Sequence, residues 1–276
     1  MKIHNSKKNI WLMGGFGNVL FQILALNVMS KNHDQIYIIK LLTEKNIITN
    51  FLGWTIHENL YDNLIDEKKI QEVGFFKSLI IIITGFISKK LNLKFKLSTF
   101  YNSSVKIDKN LSNNIFSYFQ YNDFLKENQE ELLQFGERLS LKYALKQKYP
   151  IVVHYRKGNP VLNPDEKIND ASFNSYYYDE IKKMLNKESL PILIVTDNIQ
   201  DAKNFFSENQ NTSIISSKTA LDDFKYLLSA EKLYCAPSTF SWWASHSLSS
   251  DSEVIIPKFF QENLGIFVKS NKLTII

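Results

Sequence analysis

Apolar and polar residues fall in alternating blocks along the chain, and the blocks read in turn as strands and helices. Lys8–Met13 (KNIWLM) predicts a strand, Gly14–Asn18 (GGFGN) a tight turn, and Val19–Lys31 a helix. That helix is apolar on nearly every side, which places it in the interior. Ile36–Leu41 predicts a second strand and completes a β-α-β opening. From Leu42 to Ser117 the pattern supports only mixed structure, and the apolar run Ser78–Ser88 (SLIIIITGFIS) reads as a buried helix or strand. Asn122–Lys148 predicts one long helix with Asp123 as a cap, ending before Pro150 and marking a hinge.

A second series follows: strand Ile151–Tyr155, helix Asn174–Asn186, strand Ile192–Thr196, helix Asn198–Glu208, strand Ser213–Ile215, helix Leu221–Ala230, strand Leu233–Cys235, helix Ser241–Ser247 and strand Glu253–Ile256. Strands alternating with helices at this spacing predict an α/β protein whose mostly parallel sheets are covered on both faces. Ligands of such sheets bind beyond the carboxyl ends of the strands.

Length agrees with two domains, since 276 residues exceed the roughly 150 of a typical domain. We place them at 1–149 and 150–276. The formal charge of +5 favours anionic ligands or an anionic membrane without singling out nucleic acid, and no nucleic-acid partner is expected. Cys235 is the only cysteine, and no Cys-His spacing of zinc-site type occurs. A reducing cytoplasm fits that usage. Met1–Asn9 is polar and lacks the hydrophobic region of a signal peptide, so export is not expected. The run at Ser78–Ser88 is shorter than the roughly 20 residues of a spanning helix. Lys77, Lys89, Lys90, Lys94 and Lys96 surround it, so the alternative to burial is a peripheral contact of 77–96 with the inner face of the membrane. Nothing in the sequence indicates an oligomeric state.

Four segments carry candidate chemistry. In the turn Gly14-Gly15-Phe16-Gly17-Asn18 the glycine backbone lets an anion approach the start of a helix. It is not a dinucleotide fingerprint, because Leu20 stands at the third glycine position. His154, Arg156 and Lys157 follow a buried-looking strand, and strand alternation sends His154 and Arg156 to one side. A guanidinium there grips a diphosphate through two oxygens while Lys157 adds a point charge; the competing reading is an exposed basic loop. Asp197 ends another core strand, where its carboxylate either accepts the paired N–H donors of guanine or caps the next helix. Pro237-Ser238-Thr239-Phe240-Ser241-Trp242-Trp243 joins a strand to a short helix, and its hydroxyls either cap that helix or bind phosphate with its N–H groups. Trp242 and Trp243 read as core anchors, with sugar stacking as the alternative, and His246 as a satisfied histidine. There is no D-x-D pair of a catalytic metal site. Asp222-Asp223 and Asp251-Ser252-Glu253 read as structural.

Taken together these segments resemble the bacterial α-1,2-fucosyltransferases of glycosyltransferase family 11. GGFGNVLFQ is similar to that family's GGLGNQMFQ, SYFQ at Ser117–Gln120 to its YFQ, and HYRKGN to its H-x-R-R-G-D. VTDN at Val195–Asn198 resembles the family's S-D-D strand end, and LLSAEKLYCAPSTFSWWAS with VIIPKFF resembles its NSTFSWW and I-x-P-K blocks. The order is kept over nearly the whole chain. The resemblance implies a GT-B fold of two Rossmann-like domains facing a central cleft, with the N-terminal one on the acceptor side. It also implies GDP-fucose as donor, a glycan hydroxyl as acceptor, inversion at the fucose anomeric carbon, and no metal or other cofactor. Arg156 would stabilise the leaving β-phosphate, with His154 near the nucleotide and Asp197 reading guanine. Ser238, Thr239, Phe240 and Ser241 would line the phosphates beside Lys157 and Asn159, and Gly15, Gly17 and Asn18 would face the donor from the other half.

Two positions depart from the family pattern. Lys157 replaces an Arg, and Asn159 stands where the family carries Asp, a group able to act as a general base. The remaining alternatives are a transferase of the same fold using another nucleotide sugar, and a GDP- or glycan-binding protein without turnover.

Overall fold

The computed structural model describes residues 8–32, 36–40, 64, 70–90, 99–100, 114–156, 171–207, 209 and 211–276. The chain separates into two compact units, Met1–Leu132 and Leu133–Ile276. Each is built around its own all-parallel sheet.

In the first unit the strands are β1 (Lys8–Trp11), β2 (Ile36–Ile39), β3 (Ile70–Glu72), β4 (Thr99–Phe100) and β5 (Asn114–Phe116), in the order β3-β2-β1-β5-β4. Helix α1 (Phe16–Asn32) follows β1. Val19 to Leu26 are all buried in it, including Gln22, as a helix apolar on every side requires. It starts earlier than the periodicity predicts: Val19 N–H bonds the Gly15 carbonyl at 3.1 Å. Gly17 and Asn18 therefore lie on the helix's first turn, and only Gly14-Gly15 forms the bend.

Helix α2 (Phe75–Lys90) covers the stretch expected to be a buried helix or strand. Helical it is, but it is not buried all round. Leu79 and Ile81 pack on the cluster of Trp11, Met13, Ile39 and Val73, while Phe76, Ile80 and Ile83 face solvent.

The single helix predicted over Asn122–Lys148 is two, α3 (Asn122–Glu127) and α4 (Gln129–Tyr143). Asn128 makes the break. Its side-chain amide and its backbone N–H both donate to the Phe124 carbonyl, at 2.8 and 3.1 Å, so a side chain competes locally with the helical ladder.

The second unit orders its strands β11-β10-β9-β6-β7-β8: β6 (Tyr149–Tyr155), β7 (Ile192–Thr196), β8 (Thr212–Ile215), β9 (Ala230–Tyr234), β10 (Glu253–Ile256) and β11 (Lys272–Ile275). Read from β6 in chain order this is 3-2-1-4-5-6, the arrangement of a doubly wound dinucleotide fold. The order reverses between β6 and β9, which pair in parallel with Val153 opposite Tyr234. Among the described residues helices α5 (Ala171–Leu185), α6 (Ile199–Phe205), α7 (Ala220–Leu227), α8 (Thr239–Ser247) and α9 (Lys258–Asn263) also belong to the unit. Every residue of β7 is buried, the signature of a strand covered on both faces. One face carries Ile151, Val153 and Tyr155 of β6 against Tyr177, Tyr178 and Ile181 of α5 and Ala202 of α6.

Helix α7 ends at Leu227, three residues before the predicted end at Ala230, which already belongs to β9. Ser229 turns the chain, donating from its hydroxyl to the Lys225 carbonyl at 2.7 Å. No Gly or Pro marks this exit. α8 is the most deeply packed helix of the unit: Trp242 and Trp243 are fully buried, and the Trp242 indole N–H donates to the Gly265 carbonyl at 3.0 Å. Both tryptophans are thus core anchors.

Where α4 meets the end of α8, Gly136 allows direct backbone contact. A Cβ built there would stand 2.6 Å from the His246 carbonyl oxygen. Gly136→Ala should gain about 1 kcal/mol of helix propensity and lose more to overpacking, a net destabilisation of about 1–2 kcal/mol. Chemical denaturation measures it, and a variant as stable as the parent would mean that α4 can move away from α8 freely.

Candidate functional site

The crevice at the strand-order reversal of the second unit is where an open parallel sheet places its ligand. Chain segments leaving the carboxyl ends of β6, β7 and β9 supply its residues.

At the end of β6, His154 is buried and its Nδ1 is hydrogen bonded to the Ser241 hydroxyl of α8. The same Ser241 oxygen accepts the Ala236 backbone N–H at 3.0 Å, and the His154 ring packs against Phe240 at 5.3 Å. Burial first, and the Arg156 charge second, push the His154 imidazole down to about 3. His154 is therefore neutral at physiological pH and acts as a tie between β6 and the start of α8. Ser241, expected among the phosphate ligands, is fully buried, with its oxygen committed to this tie. Phe240 sits between His154 and Phe224, packed under the turn.

Two residues after His154 the chain leaves the sheet and Arg156 becomes exposed. Its backbone is held from both sides by one phenol. Arg156 N–H donates to the Tyr178 hydroxyl at 3.0 Å, and that hydroxyl donates to the Arg156 carbonyl at 3.1 Å. Tyr178 is itself buried, and burial raises its phenol well above the usual tyrosine range, so it stays protonated to serve as this donor. The guanidinium projects from a fixed backbone, with its side chain about half exposed. Its Nε lies 3.4 Å from Asp197 Oδ2, both side chains about half exposed. At such exposure the pair adds little stability, but it orients the guanidinium.

Asp197 follows β7 directly. The helix cap that competed with its ligand reading belongs to the next residue: Asn198 accepts the Asp201 N–H at 3.1 Å. Asp201 in turn accepts the Tyr155 hydroxyl at 2.7 Å, fixing this corner to β6. Asp222 and Asp223 lie on α7. Asp223 accepts the Ser217 N–H at 2.9 Å, and burial raises its carboxyl; Asp222 bonds Thr219 and Lys225.

Beyond β9, Ser238 caps α8 by accepting the Ser241 N–H at 3.3 Å. Ser238 and Thr239 remain partly exposed, so the hydroxyls at the surface of the turn are theirs. The positive end of α8 points to the same side. His246 is buried on α8, stacked on Trp242 at 3.7 Å between ring centroids. Its Nδ1 faces the Trp242 carbonyl at 2.6 Å and its Nε2 accepts the Phe267 N–H at 2.9 Å, as a satisfied structural histidine should. Lys157 and Asn159 lie outside the described residues. Among the described residues no group of three His, Cys, Asp or Glu side chains is placed to hold a metal.

In the first unit the order reverses between β1 and β5, and the glycine bend sits at the end of β1. Gly14 has φ of +83°, and a Cβ on it would meet Asn18 Nδ2 at 2.8 Å and the Tyr118 ring at 3.0 Å. Glycine is required on both counts. Gly15 is exposed with open space above it, and Gly17 is buried.

Two glutamines tie this bend to the segment after β5. Gln22 accepts the Met13 N–H at 2.9 Å and donates to the Ser117 carbonyl at 3.3 Å. Gln120 donates from Nε2 to Asn18 Oδ1 at 2.8 Å, leaving the Asn18 amide nitrogen on the Gly14 side. The last residue of GGFGNVLFQ and the last of SYFQ thus join the two segments into one structure. Neither glutamine was singled out from the sequence, and the signal for them was only their place at the ends of two quoted segments.

A model of glycosyl transferase family 11 matches residues 10–269 of the chain. No curated protein matches it. Among solved structures, NodZ α-1,6-fucosyltransferase soaked with GDP-fucose is 11% identical, with 88% of this chain and 93% of that chain covered and a TM-score of 0.39. The glycosyl transferase family 9 protein from Veillonella parvula DSM 2008 is 10% identical, with 100% and 88% covered and a TM-score of 0.42.

Proposed function

Because the chain belongs to glycosyl transferase family 11, we propose that it is an inverting α-1,2-fucosyltransferase that moves L-fucose from GDP-fucose to a galactose hydroxyl of a glycan or surface polysaccharide. The two units would form a GT-B enzyme, the second holding the nucleotide and the first the acceptor. The observation that carries the reading is Arg156: a guanidinium on a backbone fixed by Tyr178, at the strand-order reversal of a 3-2-1-4-5-6 sheet.

In the proposed reaction the acceptor hydroxyl attacks the anomeric carbon of fucose as the bond to the β-phosphate oxygen breaks. GDP departs with the bonding electron pair, and the acceptor hydroxyl proton passes to the departing diphosphate or to water. Positive charge develops on the sugar and negative charge on the diphosphate, so donors aimed at the diphosphate stabilise the transition state more than the ground state. Arg156 supplies the charge, oriented by Asp197, and Ser238, Thr239 and the start of α8 supply hydroxyls and the helix dipole. Asp197 would also accept from guanine, and Asn18 with Gly15 would meet the donor from the first unit. No metal takes part in this scheme. The neutral His154 holds β6 to the start of α8 beside Arg156.

Asn159 favours one competing reading, a donor-binding protein without turnover, because an amide cannot remove the acceptor proton. Incubation with GDP-fucose and a β-galactoside in the presence of chelator separates the two. GDP release that depends on acceptor and persists in chelator is the expected result. Donor binding without release on a panel of galactosides would favour the binding protein, and no donor binding would reject both.

A further inference from the structure

We infer that helix α2 is a peripheral membrane anchor, lying in the plane of an anionic phospholipid surface. Its outer face carries Phe76, Ile80 and Ile83, which are 80%, 62% and 48% exposed, with Phe75 beside them at 45%. The spacing i, i+4, i+7 puts the first three on one stripe. Isolated exposed apolar side chains are ordinary, but a contiguous stripe of large ones on a single helix is not.

The opposite face is already used. Ser78 is buried, donating to the Val73 and Gly74 carbonyls at 3.0 and 3.1 Å, and Leu79 and Ile81 pack on the cluster around Trp11 and Val73. The helix therefore cannot turn its stripe inward without giving up that packing.

Charge decides between occupants. The helix contains Lys77, Lys89 and Lys90 and no acidic residue. Lys77 lies over the Tyr37 ring at 5.6 Å, and the helix as a whole carries positive charge alone, so two copies pairing along it would bring like charge together, whereas anionic headgroups would neutralise it. Exposed aromatic and aliphatic side chains on a helix whose only charged residues are lysines match the composition of a helix that enters the boundary between headgroups and acyl chains. At 16 residues it is shorter than the roughly 20 that span a bilayer, so it would lie along the surface. Among the described residues no helix is long and apolar enough to cross a membrane. A glycan acceptor presented at a membrane would then be met by an enzyme held at the same surface. The anchor itself stands independently of which sugar is transferred.

Vesicle co-sedimentation of the full chain, without donor or acceptor, tests the inference. Binding is expected to vesicles containing phosphatidylglycerol and to be weaker on pure phosphatidylcholine. It should fall with salt. The double variant Phe76→Ser/Ile80→Ser should lower affinity for the anionic vesicles by about tenfold or more, and Lys89→Glu/Lys90→Glu by about 25-fold or more, at roughly fivefold per lysine. Because Phe76 and Ile80 are largely exposed, the melting temperature should stay that of the parent, which excludes loss of fold as the cause. Absence of binding to anionic vesicles would overturn the inference, as would binding indifferent to Phe76 and Ile80. A dimer in sedimentation velocity that the Phe76→Ser/Ile80→Ser variant abolishes would assign the face to a second copy instead.

Discussion

Arg156→Ala is expected to lower the turnover of GDP-fucose by on the order of 10²–10³-fold, the loss seen when one preorganised donor to a developing negative charge is removed. The loss should appear in kcat more than in KM, since the charge on the leaving diphosphate is largest in the transition state. Stability should change by less than about 0.5 kcal/mol, because the side chain is about half exposed and its ion pair with Asp197 is a surface one. The backbone clamp by Tyr178 does not involve the guanidinium and should survive the change. Arg156→Lys should fall between variant and parent: the charge remains, but the planar fork that takes two phosphate oxygens is gone. Steady-state GDP release beside a thermal melt measures both effects. A well-folded Arg156→Ala protein turning over at close to the parental rate would place the phosphate site elsewhere.

Much of this geometry was legible in the residue pattern, but unevenly. The strands β6, β7 and β10 stand out because most of their residues are buried, which leaves near-continuous apolar runs. The start of α8 stands out because a hydroxyl precedes an apolar block, and Ser238 is its cap. β3, β4 and β5 each have two or three residues, too few for a period to register. The break at Asn128 and the exit at Ser229 are made by side-chain bonds to backbone carbonyls, and composition carries no sign of them. Exposure was misjudged at α2, since an apolar run does not say whether anything covers its second face.

The site divides in the same way. Which loops meet follows from strand order, which the residue pattern does not carry; only the family resemblance brought the segments after β6, β7 and β9 together at one ligand. The side-chain bonds between them could be read from neither. His154 and Ser241 are 87 positions apart and Asn18 and Gln120 are 102 apart, so each pair is a product of the tertiary fold alone. Ser241 illustrates the consequence: a serine at a helix start looks available to a phosphate until its buried partner is known.

That buried partner makes the second unit sensitive to acid. His154 and His246 are both pushed down to about 3, chiefly by burial, whereas an unfolded histidine titrates near 6.5. As pH falls through about 6.5, the unfolded chain takes up a proton at each imidazole that the folded chain refuses. Stability is therefore fully present above that pH and declines as pH drops toward 3. At about 1.4 kcal/mol per pH unit, each histidine removes roughly 2 kcal/mol by pH 5. The two together then remove about 4 kcal/mol from a domain whose total stability is roughly 5–15 kcal/mol. Asp223 opposes this in part, since its carboxyl is raised by burial and so adds stability as pH falls. Urea unfolding at pH 7 and pH 5 should show a fall of several kcal/mol with an unchanged m-value. His154→Gln, which keeps a hydrogen-bonding side chain next to Ser241, should be less stable at pH 7 yet lose only about half as much between the two pH values. Equal stability of the parent at pH 7 and pH 5 would show that the folded protein accepts these protons, and that water reaches the contact between β6 and α8.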